Sequence, residues 1–111
     1  MGDIDVRIAF DSIDWHDDVP GIRARATAVE GRRWALVEYA PAARRREWCL
    51  DGHAGLVLKG SIEYEFDDGT SPLRLHEGDA FQLATNRPHR GTNRSEGETR
   101  LFLIDDPADA A

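Results

Sequence analysis

The chain has 111 residues, 41% of them hydrophobic and 8% aromatic, which is apolar material for one core of modest size. Twenty-one acidic residues against fourteen basic ones leave a formal charge of −7, so general electrostatic attraction to nucleic acid or to an anionic membrane surface is not expected. The longest apolar runs, 54–58 and 101–104, fall far short of the roughly 18 residues a membrane helix needs.

Taken in chain order, the N-terminus Met1-Gly2-Asp3-Ile4-Asp5-Val6 opens with acid rather than a basic and then apolar leader, which argues for a cytoplasmic protein. The single cysteine, Cys49, has no internal disulfide partner and fits a reducing compartment. Ten glycines and five prolines punctuate short stretches of period-two alternation, as in Ile62, Tyr64 and Phe66 against Ser61, Glu63 and Glu65. This pattern predicts strands over 5–10, 22–29, 33–40, 46–50, 54–59, 61–67, 72–75, 80–84, 89–93 and 98–105, with scarcely any helix. Residues 11–21, rich in Asp with Pro20 and Gly21, read as a surface loop tacked down by Ile13 and Trp15. The tail over 106–111 contains only Asp, Pro and Ala and is expected to fray. The whole reads as a single domain, 1–111, built as an antiparallel sandwich or barrel.

Between Glu47 and Asn93 the spacing becomes more specific. Glu47, Cys49 and His53 precede Gly60, and Gly78 is followed by Ala84, Asn86, His89 and Asn93. This resembles the two-part signature of the cupins, G-x5-H-x-H-x3/4-E-x6-G and G-x5-P-x-G-x2-H-x3-N, in a small-cupin variant with an E-W-C-x3-H core. It departs from that signature in both segments. Ala84 and Asn86 replace the usual Pro and Gly, and Asn is the residue after glycine that best tolerates positive φ. In the first segment Glu47 and Cys49 stand at the histidine positions and His53 at the glutamate position.

The resemblance implies an all-β, cupin-type double-stranded β-helix (a jelly-roll barrel), with core motifs over 47–93. It implies a metal set of Glu47, Cys49, His53 and His89. On a strand, Glu47 and Cys49 would face one side and Trp48 the other. Two imidazoles, a thiolate and a carboxylate suit zinc first, with iron, nickel or cobalt compatible. Four protein ligands would close a tetrahedron; if Glu47 or Cys49 stood off, water or substrate could take the open position. The functional expectation is a metal-binding cupin, an enzyme on a small polar metabolite, with a non-catalytic ligand-binding or redox-sensing module as the alternative. The resemblance further implies a homodimer sharing sheet edges, the region from Val6 to Val29 being long enough to supply an exchanged strand.

Plainer readings stand beside these. A strand cysteine is often an inert core thiol, paired histidines are often buried neutral imidazoles, and Glu47 after Arg44-Arg45-Arg46 could be half of a surface ion pair. His16 and His76 read as solvated loop residues. The arginines at 23, 25, 32, 33 and 44–46 read as solvated faces rather than a nucleic-acid patch. Arg87 and Arg90 flank the second motif and could hold a substrate carboxylate, although alternation turns Arg90 away if His89 faces in. Trp34, Trp48, Tyr39 and Tyr64 are expected to pack sheets or a subunit interface, with pocket lining as the lesser alternative, and Asn93 to support a turn.

Overall fold

A computed structural model describes residues 4–107 of the chain. A short 3-10 turn, Phe10–Ser12, precedes nine strands: β1 (His16–Val19), β2 (Ile22–Val29), β3 (Arg32–Tyr39), β4 (His53–Lys59), β5 (Ser61–Phe66), β6 (Leu73–His76), β7 (Ala80–Leu83), β8 (His89–Thr92) and β9 (Thr99–Asp105). They form a six-stranded sheet in the order β1-β2-β3-β9-β4-β7 and a three-stranded sheet in the order β6-β5-β8, with antiparallel pairing throughout. This is the expected all-β jelly roll.

The core lies between the sheets, where alternate residues of each strand point inward. Ala35, Val37 and Tyr39 of β3 meet Leu101 and Leu103 of β9 and Val57 of β4 from one side, and Ile62, Tyr64 and Leu75 from the other. Because this face is buried, a slip of one residue in any central strand would put its core set into water, which holds the registers. On the outer face of the large sheet, Glu38 is 2% exposed. Its cross-strand neighbours Arg23 and Arg100 lie over it on either side, and both bond to its carboxylate. Burial alone would raise the Glu38 pKa, but the bonds from Arg100 and Arg23 outweigh it and hold the group below the usual carboxylate range.

Three expectations are corrected. Residues 5–10 alternate in apolarity but form no strand; Ile4 and Val6 are exposed, at 59% and 55%, because no neighbouring strand offers them a ladder. The expected loop over 11–21 contains β1, an edge strand exposed at all four positions, so it has no buried face to write alternation into its sequence. Finally, 46–50 is not a strand. The segment runs beside β8, bridging it at Arg44 with Thr92 and at Cys49 with His89, with one further backbone bond from the Arg45 N–H to the Gly91 carbonyl. The five steps from Arg44 to Cys49 are matched by three from Thr92 to His89, so two extra residues bulge out between them. Of the tail expected to fray, residues 108–111 lie outside the described residues.

Candidate functional site

The site is set by three backbone placements. His53 opens β4, where it pairs with Leu83 and Asp105. It follows Gly52, a residue wedged so tightly that an added Cβ would stand 2.4 Å from Thr85 Oγ1 and 2.5 Å from Asp106 Oδ2. His89 opens β8 in the opposite sheet, just after a turn in which Asn86 takes φ 67°; the asparagine does the work expected of it there. Cys49 and His89 exchange both backbone hydrogen bonds, at 2.8 and 3.0 Å, and directly opposed residues of such a pair present their side chains to the same face.

These elements meet around a cavity of about 500 Å³, whose lining includes Glu47, Cys49, His53 and His89. The two imidazoles stand edge to face, with centroids 5.3 Å apart, and Tyr64 lies edge to face with His89 at 6.1 Å. His53 and His89 are 8% and 1% exposed. Cys49 is half-buried and Glu47 is exposed at the lip, because the bulge breaks the alternation that would have turned both inward together.

One nitrogen of His89 is committed by a hydrogen bond, and one of His53 faces a carboxylate beyond hydrogen-bond distance. His89 Nδ1 lies 2.9 Å from the Arg87 carbonyl oxygen, to which it can only donate, so in the neutral ring its Nε2 carries the lone pair. His53 Nδ1 faces Asp105 Oδ1 at 3.7 Å. Both Nε2 atoms are buried and take no hydrogen-bond partner. Burial, reinforced by the neighbouring His89, lowers the His53 pKa to about 4. Burial also lowers that of His89, against the opposing pull of the Arg87 carbonyl bond. Both rings are therefore neutral at pH 7. Burial pushes the Cys49 thiol up, so it is not a free thiolate nucleophile.

Buried unpaired nitrogens are costly, at about 1–3 kcal/mol each, and they are the kind of group a ligand or metal ion satisfies. As donors, two neutral imidazoles suit a borderline divalent ion. A complete set is not assembled, however: among the described residues no group of three or more His, Cys, Asp or Glu side chains is disposed to hold a metal ion. The fit is a two-point one.

Other expectations resolve as follows. Arg87 is not at this cavity; it bonds to Asp68 at 3.0 Å and Thr70 at 2.7 Å and stacks on Phe66. Arg90 reaches only the lip, where it stacks on Trp48 at 4.0 Å and bonds to Glu65 and to the Arg46 carbonyl. Asn93 is structural: its amide donates to the carbonyls of Tyr39, Ala40 and Gly97, and its oxygen accepts from Ser95. Sequence reasoning missed Arg45 and Asp105 as cavity residues and gave Tyr39 and Tyr64 cavity lining only as the lesser alternative to sheet packing. The inward parity of the two tyrosines with Val37 and Ile62 was the one signal available.

In sequence, the family model described as "Cupin domain" matches residues 35–105, while no functionally curated protein matches the chain. Among solved structures, KdgF from Halomonas sp. is similar over 96% of this chain and 97% of its own, at 21% identity and a TM-score of 0.73. The polyketide cyclase RemF from Streptomyces resistomycificus aligns over 92% of this chain and 79% of its own, at 15% identity and a TM-score of 0.75. A sugar phosphate isomerase of the cupin superfamily from Silicibacter pomeroyi aligns over 93% and 76%, at 14% identity and a TM-score of 0.72. At these identities the likeness is one of fold.

Proposed function

Since this chain belongs to the cupin domain family, we propose that it binds a small metabolite in the cavity around His53 and His89, and that these imidazoles are the protein's anchor for a divalent ion. The observation that carries this reading is the pair of buried, unpartnered Nε2 atoms on neutral rings, which offer lone pairs without first losing a proton. Zinc is the best match to two imidazoles, with iron, nickel and cobalt compatible. Cys49, held beside His89 by their shared backbone bonds, is the next candidate donor, and Glu47 the last. When bound, such an ion would polarise a ligand oxygen or acidify a bound water. Glu47, exposed at the lip, is placed to pass protons between the cavity and bulk water. The fold does not choose a reaction.

A second reading, a ligand-binding module without a resident metal, is favoured by the lack of a three-donor group among the described residues. Elemental analysis and zinc titration of tag-free protein separate the two. The metal reading expects about one equivalent per chain, lost in His53→Ala and His89→Ala, weakened in Cys49→Ala and kept in Glu47→Gln. A folded wild type that takes up no zinc overturns it and leaves the binding module.

A further inference from the structure

We infer that the ligand of this cavity is a small carboxylate with a flat apolar body, anchored through its carboxylate by Arg45 and received at the mouth by Trp48 and Leu50. The inference rests on reading the cavity as a ligand site, but not on the presence of a metal ion.

Arg45 is built in rather than draped over the surface. Its backbone N–H donates to the Gly91 carbonyl at 3.1 Å, its side chain is 27% exposed, and it lines the same cavity as the two imidazoles. Its Nη2 donates to Asp18 Oδ2 at 2.6 Å, and its guanidinium carbon lies 6.0 Å from the Tyr39 ring centroid. A guanidinium carries five N–H groups in a rigid fork. The bond to Asp18 uses one of them and fixes the plane of the fork, the Tyr39 hydroxyl engages the same guanidinium, and a second carboxylate would match the remaining N–H groups through two parallel bonds. Of the other cations of the lining, Arg90 is engaged by Glu65 and Trp48, and Arg33 is 46% exposed with Asp105 at 3.8 Å, so Arg45 is the more enclosed and the more firmly oriented of the remaining two. Of the lining acids, Asp18 and Asp105 are thus each paired with an arginine, while Glu47 and Asp51 sit in solvent at the lip, where water screens them.

The mouth has the opposite character. Trp48 and Leu50 are 39% and 52% exposed, and both line the cavity. Large apolar side chains left in water around an opening mark a surface that something apolar covers. Arg90 covers one face of the indole, and a flat ring is the shape that stacks on an indole with the least loss of freedom. Polar groups within and apolar groups at the rim thus call for a ligand with its charge at one end.

The test uses 3-phenylpropionate as probe, with 3-phenylpropan-1-ol and acetate as comparators, in calorimetry and tryptophan-fluorescence titrations of chelator-treated and zinc-loaded protein. The expected result is that 3-phenylpropionate binds the metal-free protein about ten-fold or more tighter than either comparator. Arg45→Gln should bring it to the level of the alcohol without changing the alcohol's affinity. Trp48→Ala should weaken acid and alcohol alike. Should Arg45→Gln fail to fold, Asp18→Asn serves: losing the competing carboxylate should tighten the acid a few-fold and leave the alcohol unchanged. Equal binding of acid and alcohol by wild type, undiminished acid binding by Arg45→Gln, no tightening in Asp18→Asn, acetate binding as tightly as the probe, or no binding at all each overturns the inference. Acid binding seen only with zinc and indifferent to Arg45→Gln also overturns it, and leaves the metal reading standing. Acid binding by a protein that takes no zinc does the reverse.

Discussion

His53 and Asp105 stand directly opposite each other in the β4–β9 ladder, the imidazole Nδ1 facing the carboxylate across 3.7 Å. A carboxylate there favours the tautomer with its proton on Nδ1 and the lone pair on Nε2, toward the cavity. Asp105→Ala is expected to cost about ten-fold or more in zinc affinity with little loss of fold. Zinc calorimetry measures the first; the ¹⁵N shifts of the His53 ring in metal-free protein read the tautomer directly. An unchanged tautomer and an unchanged affinity together would remove Asp105 from the site.

Gly52 sets the position of His53. An added methyl would meet Thr85 Oγ1, Asp106 Oδ2 and the Thr85 backbone nitrogen, all within 2.5 Å. Gly52→Ala is therefore expected to destabilise by about 1–3 kcal/mol, read in urea melts, and to weaken zinc binding in the fraction that folds.

Much of this arrangement was legible in the chain. Strands β2 to β9 follow period-two stretches, and the spacing of Gly78, Asn86 and His89 placed the turn that delivers His89. What stayed hidden had no one-dimensional mark. β1 is exposed on every residue, so no alternation records it; residues 5–10 alternate, but a ladder needs a neighbour. The two-residue bulge before Cys49 leaves the composition of 44–49 unaltered while changing which side chains face inward, so Glu47 came out to the lip and Arg45 went in unannounced.

Acid should loosen the large sheet. The folded pKa of Glu38 lies below its ordinary value, so the unfolded chain binds its proton first as pH falls, and the group's contribution is complete above the unfolded pKa and lost on descending through the folded one. Urea melts from pH 7 to pH 3 are expected to show stability falling from about pH 6.5, where the unfolded chain protonates His53 and His89 before the folded one does, and falling further below about pH 4.5, the second part being shallower in Glu38→Gln. At pH 7 that substitution should cost about 1–2 kcal/mol, discounted because Arg23 and Arg100 are partly solvated.

Ala42 is the third residue of a turn whose second residue is Pro41, closed by the bond from Ala43 N to Ala40 O at 3.0 Å, and it holds φ 64°. That is the type II pattern, which favours glycine at this place. Ala42→Gly removes a left-handed strain of about 1–2 kcal/mol against an entropic cost of about 0.5–1 kcal/mol. A melting temperature unchanged or raised by a few degrees is expected, and a clear drop would contradict the strain.

The bulge between Arg44 and Cys49 gives part of the container wall an adjustable length. Both ends of that stretch are tied to β8, at Thr92 and His89, and the Arg45 N–H is bonded to Gly91, while Arg46, Glu47 and Trp48 form no bridge to that strand. Lengthening or shortening it would reshape the opening and swap the groups around it without sliding any strand past another. New specificities on this scaffold have a place to arise at little risk to folding.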